Sequence, residues 1–272
     1  MDAAFFKTLV TDLGGDRPPP VWSLLVTVFG DLALERDARI SAPVLGQLSE
    51  LIGVKPQAKR VALHRLRKDG WIDSARRGRS SDYFLTDWGR TQSAEASPRI
   101  YAGEPAHTTA WMVLSDPGQP ADFGPGSFAI TPNMALATNQ PERTDVIAMA
   151  IDPSTTLPDW VTSKVCDPIT ARSSQNLSRQ LADLHKSLGN TGAVDFLEVA
   201  ALRVLVVHSW RRIVLRTPAL PNQVFPQNWA GAACRAEIAR LLRRLPKPNL
   251  DDLERAVSVA QERLDPAAPR SG

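Results

Sequence analysis

The apolar residues between positions 21 and 69 recur at helical intervals in three successive segments. The first segment covers residues 21–34 and follows three prolines at 18–20, which are typical of a helix start. Ser41 is a suitable N-cap for the second segment, and Gly53 closes it. The third segment covers residues 55–69, and its apolar face holds Leu63 and Leu66. Three helices around one small core are therefore predicted.

A β-hairpin is predicted directly after the third helix, over residues 71–85. Gly78 permits a tight turn at its tip, and Trp71, Tyr83 and Leu85 anchor its strands to the core. Arginines surround the glycine. The order helix, turn, helix and basic-tipped hairpin is that of a winged helix-turn-helix, which places a helix in the DNA major groove and the hairpin on the neighbouring backbone or minor groove.

The polar face of the third helix carries the candidate base contacts. Arg60 can bond O6 and N7 of guanine together, Gln57 can read adenine, and Val61 can touch a thymine methyl group. A solvated basic face on an ordinary surface helix is the alternative interpretation. The predicted DNA-binding residues of helix and hairpin are Lys55, Gln57, Arg60, Val61, His64, Lys68, Arg76, Arg77 and Arg79.

The distribution of charge supports an interface with DNA more than the total charge does. The chain carries a net charge of only +3, whereas residues 55–79 hold nine Lys or Arg against Asp69 and Asp73, a local charge of +7. Two cysteines without metal-ligand spacing argue against a disulfide scaffold and a zinc site. No secretory signal is recognised, and charged residues interrupt the most apolar segment, residues 194–215. A soluble cytoplasmic protein without a membrane span is expected.

The middle of the chain shows the pattern of a small sheet. Strand-like runs occupy residues 109–114, 127–131, 134–138 and 145–151, with Gly- and Pro-rich turns between them. A helix is expected over residues 157–166. The polar residues 91–98, after a short helix capped by Thr86, are interpreted as a linker.

The last third of the chain is predicted to be helical. One apolar stripe consists of Leu177, Leu181, Leu184 and Leu188. The segment 194–215 is apolar nearly all round in its first half, which is typical of a central helix, and its second half is rich in cations. A further helix is expected over residues 230–245.

Two separated blocks of sequence resemble the PaaX family, bacterial repressors of aromatic-acid catabolism whose best-known members respond to phenylacetyl-CoA. The first block comprises residues 23–31, 60–66, 70–72, 85–90 and 99–101. The second comprises residues 208–216, 218–221 and 225–231. Two positions depart from the family pattern: Lys59 stands where an apolar residue is usual, and Thr217 where an aspartate is usual.

The resemblance implies an α+β protein with three domains. These are an N-terminal winged helix-turn-helix at residues 1–95, a small ferredoxin-like domain similar to the CRISPR nuclease Cas2 at 96–170, and a C-terminal helical domain for effector binding and dimerisation at 171–272. It also implies a repressor of phenylacetate-type catabolic genes that is released by an aryl-CoA thioester. Because one recognition helix covers only a few base pairs, a homodimer bound to an inverted-repeat operator of double-stranded DNA is expected. Neither enzymatic activity nor a cofactor or metal is expected.

A cluster of aromatic and cationic residues is the candidate effector site. Aromatic rings would hold the acyl part of an aryl-CoA and guanidinium groups its phosphates. The same residue types also fill cores and form salt bridges between domains, so both interpretations stay open. The candidate effector-binding residues are Trp210, Arg211, Arg212 and Trp229.

Two further functions remain as alternatives. The similarity to Cas2 raises a metal-dependent nuclease, because Asp116 follows the first strand of the middle domain, where Cas2 proteins place a metal-binding aspartate. A metal site for phosphodiester cleavage needs several oxygen ligands, and an aspartate before Pro117 and Gly118 is more often a turn former. The other alternative is a DNA-binding protein that senses no ligand.

Overall fold

The computed structural model describes residues 3–14, 20–78, 80–103, 109–118, 122–188 and 195–264. Helices and two antiparallel sheets make the chain an α+β protein, as predicted. Its contacts define two compact units, each built from separated segments. The first unit contains Met1–Pro98, Gln180–Ser209 and Ile238–Gly272, and the second contains Arg99–Arg179 and Trp210–Glu237. The division into three domains at residues 95 and 170 stays a prediction.

The first unit contains the three predicted helices and the predicted hairpin, and it begins with a helix, α1, that the sequence analysis did not predict. The elements of the chain up to residue 101 are α1 Ala3–Gly14, α2 Val21–Leu32, β1 Ile40–Ser41, α3 Ala42–Leu51, α4 Pro56–Lys68, β2 Ile72–Arg77, β3 Ser80–Leu85 and α5 Asp87–Tyr101, and the boundary between the two units falls within α5. The Ser41 hydroxyl caps α3 by accepting a hydrogen bond from the Val44 amide at 3.3 Å, so the predicted N-cap is confirmed. The strands form an antiparallel sheet in the order β1-β3-β2.

The predicted linker at residues 91–98 is wrong, because these residues continue α5. The helix spans 15 residues and includes Pro98. Two serines that suggested a loop are accommodated in the helix because each hydroxyl donates to the backbone carbonyl four residues earlier. Ser93 donates to the Gly89 carbonyl and Ser97 to the Ser93 carbonyl, each at 2.8 Å. Composition alone therefore misled the prediction.

The second unit contains the predicted four-stranded sheet. Its elements are β4 Ala110–Ser115, β5 Ser127–Thr131, β6 Met134–Ala137, β7 Val146–Ile151 and α6 Asp159–Val165. The strands are antiparallel in the order β5-β6-β4-β7, and Leu136, Val161 and Phe225 belong to the core beside the sheet. A complete ferredoxin-like unit has a helix after its first and third strands. The described residues at those two connections contain no helix, and the Cas2-like assignment stays a prediction.

The described residues after α6 contain four α-helices: α7 Pro168–Leu188, α8 Phe196–Val214, α9 Gly231–Arg244 and α10 Leu250–Leu264. All four leucines of the predicted stripe on α7 are buried, and α8 is buried on every side from Ala200 to His208, which confirms its central position. In the first unit, α10 packs against α3. Within the described ranges, no helix is both long and apolar enough to cross a membrane.

Candidate nucleic-acid interface and effector region

The outward face of α4 is the first candidate interface. Leu63 and Leu66 are buried, whereas Val61 on the opposite side is 60% exposed, which is unusual for an apolar residue and fits a surface that meets a partner. Six predicted contact residues are exposed at the start of this helix and along it: Lys55, Gln57, Arg60, Val61, His64 and Lys68. The structure thus places Gln57, Arg60, Val61, His64 and Lys68 on one stripe of α4, with Lys55 at its N-cap.

The two strongest candidates for base reading are neighbours on that stripe. The Arg60 guanidinium donates to the Gln57 side-chain oxygen at 3.4 Å, and both side chains are exposed. This long hydrogen bond lies at the surface, so contacts with base edges could replace it at little cost.

Lys59 lies on the inner side of α4, next to α3. Burial lowers its pKa, Arg60 lowers it further, and Glu50 partly raises it. A Cβ atom placed on Gly46 of α3 would lie 3.4 Å from the Lys59 ammonium nitrogen. The absence of a side chain at Gly46 therefore leaves room for a lysine where the family usually has an apolar residue.

The tip of the hairpin presents basic side chains, as predicted. Arg76 and Arg77 are exposed, and Gly78 has a φ of +60°, which glycine adopts without strain. Arg79 lies outside the described residues. The structure adds an acid that the sequence did not single out: buried Asp82 lies 3.8 Å from the Arg77 guanidinium, while its Oδ1 has no hydrogen-bond partner within the described part of the chain.

The motif at residues 85–90 fixes the hairpin to the helices. The Thr86 hydroxyl donates to the Gly70 carbonyl at 2.5 Å and accepts from the Gly89 amide at 3.0 Å. A Cβ atom on Gly89 would lie 2.2 Å from the Trp71 carbonyl oxygen, so only glycine allows this approach. The Arg90 guanidinium donates to the carbonyls of residues 34 and 35 at 2.8 Å each. These bonds hold the hairpin beside α4.

Trp210 and Trp229, two of the four predicted effector-binding residues, are neighbours in the second unit. Their ring centroids lie 6.5 Å apart, and the Trp229 ring stacks on Phe225 at 4.8 Å. Trp210 is completely buried, and its indole nitrogen donates to the Ile100 carbonyl at 3.2 Å. The Arg235 guanidinium, which the sequence did not single out, lies 5.4 Å from the Trp210 ring centre. Trp210 is therefore a packing residue in this arrangement.

Trp229 is more accessible than Trp210 and lies over a glycine. A Cβ atom on Gly231 would come within 2.3 Å of its indole ring. The Trp229 indole nitrogen is buried and has no hydrogen-bond partner among the described residues. Of the predicted aromatic pair, Trp229 thus retains a free donor.

The cations of the predicted effector site are half-buried. Burial lowers the pKa of Arg211, and Tyr101 partly opposes that effect. Burial also lowers the pKa of Arg212, with Arg216 contributing in the same direction. An arginine keeps its charge under such shifts, so both guanidinium groups are cations of the type that binds an anion.

Comparisons with known proteins agree with these features. The sequence profile of the PaaX-like protein matches residues 20–89, and that of the PaaX-like protein C-terminal domain matches residues 170–253. The chain belongs to the PaaX-like family. The Transcriptional repressor PaaX of Escherichia coli (strain K12) is 26% identical over 253 residues, which cover 82% of this chain and 79% of the repressor. Family and relative together support a transcriptional regulator.

Among solved structures, the uncharacterized protein Rv0674 from Mycobacterium tuberculosis is similar to this PaaX-like chain. The similarity covers 88% of this chain and 97% of the other, with a TM-score of 0.41 and 16% sequence identity.

Membership of the PaaX-like family does not favour the nuclease alternative and suggests a protein that is not an enzyme. Asp116 is exposed, and its carboxylate accepts a hydrogen bond from the Gly118 amide at 2.8 Å, as a turn former does. The part of the chain that the structure describes holds no cluster of three metal-ligating side chains. Burial raises the pKa of the Cys166 thiol to about 11 and that of Cys234 to about 12, so both stay protonated at neutral pH.

Proposed function

We propose that this PaaX-like protein is a transcriptional regulator whose first unit binds double-stranded DNA as a winged helix-turn-helix. The exposed stripe on α4 carries the proposal. One helix face carries the Arg60 guanidinium, the Gln57 amide, the apolar Val61 and the side chains of His64 and Lys68. This face lies beside a hairpin tipped with arginines. A helix and a hairpin are the two elements with which winged helix-turn-helix domains contact DNA.

Division of labour between the two elements follows from their chemistry. Arg60 and Gln57 can recognise base edges in the major groove, which differ between base pairs. The arginines of the hairpin meet phosphates, which are the same at every sequence. The helix should therefore determine which site is bound, and the hairpin should add affinity for any DNA.

Fluorescence anisotropy with a labelled cognate duplex and a random duplex tests this proposal. Arg60→Ala should weaken cognate binding by about 1 to 3 kcal/mol and leave random binding nearly unchanged. Arg172→Ala, an exposed arginine on α7, is the matched control and should bind as the wild type does. Equal losses on both duplexes would remove the base-reading role. Cleavage of the duplex on addition of Mg²⁺ or Mn²⁺, abolished in Asp116→Ala, would favour the nuclease alternative instead.

We infer further that the regulator acts as a homodimer on an inverted repeat. One recognition helix covers only a few base pairs, too few to single out a promoter in a genome. Two copies related by a two-fold axis would place their helices in half-sites about one helical turn apart, or a multiple of it. Binding of a fragment ending at residue 96 as tightly as the intact chain would contradict dimer contacts in the later part of the chain.

An aryl-CoA thioester is the proposed effector, and aromatic-acid catabolic genes of the phenylacetate type are the proposed targets. Support comes from the PaaX family resemblance, from half-buried Arg211 and Arg212 as phosphate partners, and from Trp229 with its unused indole donor. Trp210, which is fully enclosed, would support the site from behind rather than touch the ligand. The ligand can release DNA only by binding the DNA-incompetent arrangement better, by about 1.4 kcal/mol for each tenfold loss of affinity.

A mobility-shift titration with phenylacetate, free CoA and a panel of aryl-CoA thioesters tests the effector proposal. One thioester should release wild-type protein from its operator, while Arg212→Ala should bind the operator normally and fail to respond. If no thioester alters the wild-type shift at millimolar concentration, the protein binds DNA without sensing this class of ligand.

A further inference from the structure

The first unit contains a cavity of about 660 Å³ where four helix ends meet. The ends of α7 and α9 and the beginnings of α8 and α10 form it. Its apolar wall includes Leu188, Val199 and Leu245, and the ring of Phe196 is 52% exposed beside them. The volume lies within the range typical of small-molecule sites, and an exposed aromatic ring at an apolar cavity is a common anchor for an aromatic ligand. None of the residues proposed for the aryl-CoA site lines this cavity.

Cations dominate the polar part of the lining. Arg244 donates to the Leu188 carbonyl at 2.7 Å and to the His185 carbonyl at 3.3 Å, so its charge lies at the carboxyl end of α7. Lys247 is exposed in the connection between α9 and α10. Among the described residues that line the cavity, Asp252 alone carries a carboxylate, and it forms an ion pair with Arg255. The cavity therefore suits a ligand with an apolar ring and a single negative charge.

The wall of the cavity is linked by hydrogen bonds to α2 of the proposed DNA-binding domain. The Leu245 carbonyl accepts a hydrogen bond from Arg203 at 2.9 Å. The other two nitrogens of the same guanidinium bind Asp31 on α2 at 2.8 and 3.0 Å. On the far side of the connection, α10 packs against α3. A ligand that displaces the connection between α9 and α10 would thus act on both α2 and α3, the helices that support α4.

We propose that this cavity is a binding site for a small aromatic carboxylate and that its occupancy changes the affinity of the protein for DNA. The ring packs on Phe196 and the apolar wall, and the carboxylate meets Lys247 with Arg244 behind it. The regulatory half of the proposal rests on the proposed DNA-binding function, whereas the binding half stands without it.

Isothermal titration calorimetry on the full chain tests the binding half. The probes are benzoate, phenylacetate and 2-naphthoate, each compared with its neutral amide. At least one carboxylate should bind tenfold or more tightly than its amide, and both Phe196→Ala and Lys247→Ala should weaken it at least fivefold, with Lys247→Arg close to wild type. Lys186→Ala and Val259→Ala, which change exposed residues outside the lining, are matched controls and should bind normally. Absence of carboxylate binding at millimolar concentration, or equal binding by all variants, overturns the proposal.

Operator affinity with and without the bound carboxylate tests the regulatory half. We expect a shift of threefold or more in the wild type, lost in Phe196→Ala, whose affinity for DNA without ligand should be unchanged. Carboxylate binding without any shift would overturn the regulatory half alone. If the protein binds no DNA, the proposed function is refuted, whereas calorimetry still tests whether the cavity binds a carboxylate.

Discussion

Arg203 and Asp31 form a buried, bidentate ion pair, although they are 172 positions apart in the chain. Asp31 lies in the last turn of α2, where the helix dipole disfavours a negative charge, and the guanidinium of Arg203 compensates for it. The third nitrogen of the guanidinium is used by the Leu245 carbonyl. All three nitrogens of the buried Arg203 guanidinium therefore donate hydrogen bonds within the first unit.

Removing one member of this pair should destabilise the protein strongly, because the other charge would stay buried. We predict that Arg203→Met lowers the free energy of unfolding by about 3 to 5 kcal/mol. The double variant Arg203→Met with Asp31→Asn should lose less than the sum of the two single variants. Urea denaturation followed by circular dichroism measures all three. A loss for Arg203→Met no greater than that for Arg172→Met, on the surface of α7, would contradict this account.

The hairpin should bind DNA through charge alone. Arg76→Ala is expected to weaken binding to cognate and random duplexes alike and to reduce the slope of log affinity against log salt by about one. The same is expected of Arg79→Ala. Anisotropy titrations between about 50 and 200 mM salt check both variants. A loss confined to the cognate duplex would instead assign the hairpin a role in base recognition.

The contact between Gly89 and Trp71 should tolerate no side chain. Gly89→Ala would force a Cβ atom against the Trp71 carbonyl, and we expect a loss of about 1 to 3 kcal/mol of unfolding free energy despite the better helix propensity of alanine. Gly103→Ala is the control, because a Cβ atom there meets nothing within 4 Å. Similar midpoints of thermal unfolding for the two variants would show that the hairpin shifts without cost.

Lys59 should oppose stability at neutral pH. Its pKa is lower in the folded chain than its ordinary value of 10.5, so the unfolded chain holds the proton more tightly and stability should rise as the pH approaches that value from below. Lys59→Met removes the buried charge and should raise the urea midpoint at pH 7 and flatten this pH dependence. Lys164→Met, on the exposed face of α6, should change neither. A lower midpoint for Lys59→Met would mean that the attraction of Glu50 outweighs burial.

The sequence was sufficient to predict elements with a clear period or a specific cap. Residues 55–69 combined buried leucines with a polar stripe, and α4 has both. Four strand-like runs separated by turn residues became the four strands of the second sheet. The linker prediction failed at residues 91–98 because small polar residues occur both in loops and on the solvent side of a helix. In the structure, serine hydroxyls donate to carbonyls of the preceding turn, which is compatible with the helix.

Pairings between distant segments lay beyond the reach of the sequence. Arg203 interrupts an apolar helix, and the hydrophobic periodicity of that helix does not reveal that Arg203 pairs with Asp31 on α2. Asp82 belongs to a polar strand, yet the fold buries it beside Arg77. Trp210 is close to several arginines in the sequence, yet in the structure it is buried and its indole nitrogen donates a hydrogen bond to the Ile100 carbonyl. Each of these depends on tertiary packing rather than on local pattern.

Selection of bound duplexes from a randomised DNA library, followed by sequencing, tests the central claim most directly. With wild-type protein we expect an enriched inverted repeat whose half-sites lie about one helical turn apart, or a multiple of it. With Arg60→Ala we expect the same repeat relaxed at one position in each half-site, and with Arg172→Ala the unchanged wild-type motif. Recovery of no motif by the wild type, or of an identical motif by Arg60→Ala, would contradict the claim that α4 reads DNA.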